Sequence, residues 1–159
     1  LIRFSVGIEN ASGAFLNLTT NTDQGIMWRA VLEAIGYDYI YVADMYRAAG
    51  CNLDKIIVTE GGSKSSLWNQ IKADMLGSEV VTLQNVEGAV LSDAILAAYA
   101  VGDIDDLKKA LLDVVKVKRV YTPNEENTKY YRKMFGIQQQ IIRNDMKSVF
   151  TQLERMRNL

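Results

Sequence analysis

The chain has 159 residues, with 18 Lys and Arg against 19 Asp and Glu, no His and one Cys; 48% of it is hydrophobic and 23% charged. Such a chain buries a core without help from metals or disulfides, and a net charge of −1 gives no electrostatic case for nucleic acid or an anionic membrane surface. Without His, triads, dyads and metal sites that depend on it are excluded; the lone Cys51 excludes an internal disulfide and a zinc site.

Cys51 suits a reducing cytoplasm and reads as a small packing residue at a helix end. No apolar run approaches the roughly 20 residues that span a bilayer.

Residues 2–8 alternate apolar and polar (Ile2, Phe4, Val6, Ile8), the period of a strand with one buried face. Residues 14–18 are its candidate partner across a turn at 9–13. A long helix is expected over about 22–49, with Met27, Ala30, Val31, Ala34, Tyr41, Val42, Met45 and Ala49 inward and Gly50 as its stop. Gly36 inside it costs about 1 kcal/mol relative to Ala, which close packing against a neighbour would explain. Arg29 and Glu33, four apart, can pair on the outside, and Glu33 reads as a solvated side chain.

The central run is 55–77. Ile56, Ile57 and Val58 read as a strand covered on both faces. The pair Gly61-Gly62 lets the backbone turn and leaves room for a ligand. Ser63, Ser65 and Ser66 open a helix over 66–76 that carries Leu67, Trp68, Ile71 and Met75 on one side and stops at Gly77. A helix start facing such a gap favours a phosphate, although strand, Gly-Gly and Ser-capped helix also occurs as plain turn chemistry. The run is neither a Walker A loop nor a G-x-G-x-x-G fingerprint.

A second strand follows at 80–83 and an Ala-rich helix at 88–101, whose small residues permit a close approach to the sheet. Asp93 on it reads equally as a solvated or capping residue and as a ligand contact. This β-α-β-α alternation gives a parallel sheet with right-handed crossovers. Asp103 is the expected cap of a short helix with Leu107, Ala110, Leu111, Val114 and Val115 inward. Residues 116–121 alternate basic and apolar like an edge strand that resists pairing. Thr122 to Glu125 read as a capping box with Pro123 in the first helical position. One continuous helix then runs to about 157, with Tyr131, Met134, Ile141, Val149, Leu153 and Met156 at helical spacing.

Three patches carry a resemblance. Gly61-Gly62-Ser63-Lys64-Ser65 with Trp68, Gln70, Ala73-Asp74 and Gly77 resembles the GGG-A-K-S…W-x-Q…A-D…G segment of the FGGY-type carbohydrate kinases. Residues 12–18 with Arg29-Ala30-Val31-Leu32-Glu33 resemble that family's R-G-x-x-x-G-L…R-A-x-x-E signature. Residues 87–97 (Glu87, Ala89, Leu91, Ala94, Leu96, Ala97) resemble its E-x-A-L-G-x-A-x-L-A. The three occur in the family's order and spacing over about 11–102, closest in flavour to xylulokinases.

The resemblance implies an α/β domain of the ribonuclease H-like, actin-like ATPase fold: a mixed sheet with helices on both faces. Residues 1–159 would form one domain, with a core at about 11–102 and a C-terminal helical extension at about 103–159. It would be the C-terminal, nucleotide-binding half of a two-domain kinase transferring a phosphoryl group from Mg-ATP to a sugar hydroxyl. Gly61, Gly62, Ser63 and Ser66 would hold the nucleotide, with ATP and Mg2+ as cofactors and no metal ligand in this chain. The N-terminal sugar-binding domain would be its partner and would bring the catalytic base, so this chain alone is expected to be inactive.

Asn17, Glu60 and Ser92 stand where the family usually has glycine. Glu60 places a carboxylate beside the phosphate turn, which repels ATP unless it faces away or assists Mg2+. The alternative is a non-catalytic, kinase-like interaction module that has lost ATP use, its long terminal helix mediating assembly, including a homodimer. A Rossmann-like enzyme is disfavoured by the missing fingerprint glycines.

Overall fold

A computed structural model describes residues 13–84 and 88–157. Residues 2–8, read above as a strand, and Glu87 of the third patch lie outside them. Within 14–18 only Ala14 makes an isolated bridge, so the expected partner strand does not form there.

Helix α1 (Gln24–Ala48) starts where Asp23 accepts a hydrogen bond from the Ile26 N–H. Its buried stripe is Leu32, Gly36, Tyr37, Ile40 and Ala43. Of the positions expected inward only Ala34 is buried; Met27, Val42 and Met45 are exposed. The helix is apolar nearly all round, so its partners choose the face. Gly36 is the fixed point: a Cβ there would overlap the Met75 sulfur, which is why the neighbouring helix approaches so closely.

Strand β1 (Lys55–Val58) pairs in parallel with β2 (Glu79–Leu83), in the register Ile56 to Val80. Between them runs α2 (Ser66–Leu76), capped by Ser65 and ended by Gly77 in the left-handed conformation. Strand β3 (Val117–Tyr121) pairs antiparallel with β2, giving a mixed three-stranded sheet in the order β1-β2-β3 with β3 at its edge. β2 is therefore the buried centre, with Val80, Val81 and Thr82 at 4% exposure or less. β1 is not covered on both faces as expected: Ile57 is 53% exposed, while Ile56 and Val58, on the opposite face, are half-buried.

α2 is the hub. It packs against α1, α5 (Glu125–Gln140) and the sheet, and everything from Trp68 to Leu76 except Gln70 is buried. Trp68, Ile71 and Met75 join Leu32, Tyr37, Ile40 and Tyr131 in the main core; Leu67 does not and is exposed. Each such side chain contributes about 1.5–3 kcal/mol by burial, more than the roughly 1 kcal/mol of the Ser65 cap. Packing, more than helix propensity, holds α2 in place.

α3 (Gly88–Ala100) and α4 (Leu107–Val114) pack mainly on each other. Only Ile95 of α3 is buried, so its alanines do not serve a close approach to the sheet, and Asp93 is exposed. The cap of α4 is Asp106, not Asp103: its side chain accepts from the Lys109 N–H. Leu107, Ala110, Leu111 and Val114 are half-buried, while Val115 lies beyond the helix and is exposed.

The cap of α5 is Asn124, which accepts from the Asn127 N–H and leaves Pro123 before the cap. The C-terminal helix is not continuous either. A π-helical turn (Ile141–Asp145) separates α5 from α6 (Lys147–Arg157) and re-phases the buried face onto Ile142 and Phe150. Val149, Leu153 and Met156, which continue the helical spacing, are exposed. Cys51 is exposed as well and fills no packing role. Among the described residues no helix is long and apolar enough to cross a membrane.

Candidate functional site

The site lies past the C-terminal end of β1. Thr59 and Glu60 lead into a 3-10 turn, Gly61–Ser63, and α2 begins three residues later. Every carbonyl of the turn is held by the protein. Glu60 O accepts from Ser63 N (3.0 Å) and Ser63 Oγ (2.7 Å), and Gly61 O accepts from Lys64 N (3.3 Å). Gly62 O accepts from Lys72 Nζ (3.1 Å), and Ser63 O from Asn69 Nδ2 (2.7 Å). Helical side chains lean toward their own N-terminus, which is how Asn69 and Lys72 reach back under the turn.

The N–H groups tell the opposite story. Those of Gly61 and Gly62 have no acceptor among the described residues. Both glycines are exposed. A Cβ on Gly61 would meet nothing within 4 Å, and one on Gly62 would approach Lys72 Nζ at 3.7 Å and Trp68 Nε1 at 4.0 Å. Carbonyls turned inward and amides left free in open space make a turn suited to an anion.

The four residues expected to bind nucleotide fall within six positions of each other. Gly61 and Gly62 form the open side of the turn, and Ser66 is the exposed first residue of α2. Ser63 is 6% exposed, with its hydroxyl committed to Glu60 O. Glu60 has φ 60° and ψ −160°, a region that glycine alone occupies freely and that costs other residues on the order of 1–3 kcal/mol. Asn17 is the other non-glycine residue with positive φ among those described. Two of the three glycine departures thus sit where the backbone calls for glycine. The third, Ser92, donates its hydroxyl to Gly88 O within α3 (2.7 Å).

Behind the turn lies a cavity of about 640 Å3 between α1, β1 and α2, lined by Tyr39, Val42, Tyr46, Ile56, Val58 and Trp68 among others, with Gly62 and Lys72 on its wall. Lys72 is 5% exposed. Burial lowers its pKa from the ordinary lysine value to about 8.

Asn69 and Lys72 were not legible as site residues; the only signal was their i, i+3 spacing on the helix after the glycines. Conversely, several signature residues are scaffold. Asp74, 5% exposed, accepts from Gln70 Nε2 (2.8 Å), Asn124 N (2.9 Å) and Asn127 Nδ2 (2.9 Å), a carboxylate at the N-terminus of α5. Gln70 also donates to Thr122 O. Glu33 is not solvated as expected: it accepts from Arg29 Nε and from the buried Tyr131 hydroxyl, both at 2.8 Å, tying α1 to α5. Burial, reinforced by the Glu33 hydrogen bond, pushes the Tyr131 phenol up to about 12. Among the described residues no group of three or more acidic, Cys or His side chains could hold a metal ion.

The fold is shared with sugar kinases. A gluconate kinase from Lactobacillus acidophilus superposes with a TM-score of 0.73 at 26% identity, over 91% of this chain and 29% of that one. A ligand-bound xylulose kinase from the same organism gives 0.69 at 27% identity, with the same coverage. This is the actin-like ATPase fold, α/β with a mixed sheet.

The model of the C-terminal domain of the FGGY family of carbohydrate kinases matches residues 4–101. The xylulose kinase of Staphylococcus epidermidis is 30% identical over 135 residues, 85% of this chain and 27% of its own length. The gluconokinase of Bacillus licheniformis is 32% identical over 126 residues, 79% of this chain and 24% of its own. The chain belongs to the FGGY family of carbohydrate kinases and carries that family's C-terminal domain. It spans about a quarter of the length of these curated relatives.

Proposed function

We propose that this domain holds the nucleotide of an ATP-dependent sugar kinase with a xylulose-like substrate. The observation that carries the reading is the Gly61-Gly62 turn, whose carbonyls are all engaged by the protein while the two glycine N–H groups have no acceptor among the described residues. Gly61 and Gly62 lie against the phosphates and sugar of the nucleotide, Ser66 contacts the nucleoside, and Ser63 shapes the turn from inside through its bond to Glu60 O. Mg-ATP supplies the phosphoryl group, and catalysis of this kind rests on positioning and charge neutralisation. The sugar contacts and the base that takes the hydroxyl proton belong to an N-terminal domain of the same enzyme, so this chain alone turns over no substrate. A cytoplasmic location fits the single exposed cysteine.

The test is a titration of the chain with ADP or ATP and Mg2+ while following backbone amides. Gly61, Gly62 and Ser66 shift and saturate together; no shift at millimolar nucleotide removes the binding claim for this domain. Glu60→Gly sharpens the result. Removing both a carboxylate and an unfavourable backbone conformation tightens nucleotide binding and stabilises the fold by about 1 kcal/mol.

A second reading is a kinase-like interaction module without ATP use, which the carboxylate of Glu60 beside the turn favours. Its assembly surface would be α6, where Leu153 and Met156 are exposed. Sedimentation separates the two: a concentration-independent monomer that binds nucleotide excludes the module.

A further inference from the structure

Lys72 is a cation nearly withdrawn from water, at 5% exposure. It makes two hydrogen bonds, to Gly62 O at 3.1 Å and to Asn69 Oδ1 at 3.3 Å, and it sits 4.9 Å from the centre of the Trp68 ring. No carboxylate pairs with it among the described residues. Carboxylates of the neighbouring helix and strands are engaged elsewhere. Asp44 of α1 pairs with Arg132, Asp74 of α2 serves the start of α5, and Glu79 of β2 pairs with Lys55. Glu60, two residues before Gly62, is exposed and forms no ion pair. Tyr39 and Tyr46 of α1 are the other titratable groups on the same cavity wall.

A buried ammonium without a counter-ion is costly. A methionine or leucine would fill the same space without that cost, so packing does not account for lysine. What lysine adds is a charged donor aimed at the carbonyl of one residue in the turn. Fixing Gly62 O inward fixes the peptide plane between Gly62 and Ser63 and narrows the orientations open to the turn. It also leaves a positive charge behind that turn.

We infer that Lys72 is a positioning residue for the Gly61-Gly62 turn, bracing it from behind through Gly62 O and lending it a charge that favours an anion in front. The part concerning a bound anion rests on the nucleotide reading above; the bracing of the turn does not.

The pH dependence follows from burial. The ammonium gives up its proton near pH 8, and neutral amine is a weaker donor to Gly62 O. Carbon-detected NMR of the full chain from pH 6.5 to 9.5 reads this directly. The Gly62 carbonyl carbon and the Lys72 Cε shift together with one midpoint near 8, and Lys72→Met abolishes the shift at Gly62. At pH 7, Mg-ADP binds Lys72→Met about tenfold more weakly than the unmodified chain, whereas Lys72→Gln, which retains a donor but no charge, falls between them. The loss shrinks above pH 9, where the native lysine is neutral too.

A Gly62 carbonyl that ignores pH in the unmodified chain overturns the inference without any variant having to fold. Equal Mg-ADP affinity for Lys72→Met and the native chain at pH 7 overturns its anion half. If the unmodified chain binds no Mg-ADP while Gly62 still titrates with Lys72, the bracing stands and the nucleotide reading falls.

Discussion

The hub around α2 and the α3–α4 arm are built from comparable helices, yet they differ in kind. α2 has eight buried residues in eleven, enclosed by α1, α5 and the sheet. α3 has one in thirteen, although its sequence is the more apolar, and Val90, Leu96 and Tyr99 stand open. Hydrophobicity alone does not decide which helix anchors a domain. Enclosure does, and here it falls on the helix that carries the turn, whose geometry is thereby tied to the most buried helix among the described residues.

Substitutions on the two sides should separate by several kcal/mol. Ile71→Ala costs about 3–4 kcal/mol, for lost burial plus a cavity in a tight core, whereas Leu96→Ala, at 49% exposure, stays within about 0.5 kcal/mol. Urea denaturation of both variants checks this; equal losses would mean that α3 is as enclosed as α2.

The next largest effect is at Asp74. Asp74→Ala strands the Asn124 N–H and the side chains of Asn127 and Gln70 at the start of α5. It costs about 2–3 kcal/mol and raises hydrogen exchange in α5 before α3.

A third effect is a pH signature of the hub. The Tyr131 phenol titrates higher in the fold than in the unfolded chain, near 12 against 10. It therefore contributes stability that is whole below pH 10 and fades as pH rises toward 12. Lys72 has the opposite sign. Its pKa falls from 10.5 to about 8 on folding, so its charge is a penalty below pH 8 that is relieved between 8 and 10.5. Stability measured by denaturant midpoint rises from pH 8 to about 10 and then declines; Lys72→Met removes the rise, and Tyr131→Phe weakens the decline.

Local signals were legible wherever the information lay within a few residues. Gly50 and Gly77 as helix stops, the parallel β1-α2-β2 unit and the edge strand at 117–121 are of that kind. So was the turn itself, because two glycines before a capped helix constrain the backbone directly. Caps were less secure: Asp106 caps α4 in place of Asp103, and Asn124 caps α5 in place of Thr122, because a side chain two or three positions further on accepts a helix N–H equally well. The inward face of α1 was not legible, since several of its faces are apolar enough to be buried, nor was the π-helical break between α5 and α6, which no glycine or proline within 141–145 marks.

The sequence by itself determined the order of elements from α1 to β3, the glycine turn and the family, because backbone preferences and motif spacing are properties of neighbouring residues. Only the tertiary structure decided what the signature side chains do. Arg29, Glu33, Gln70 and Asp74 became clamps on α5, and Lys72 became the brace of the turn, through partners from 10 to 102 positions away. Such contacts depend on which helix faces meet, and that choice is made by the enclosure of the whole core.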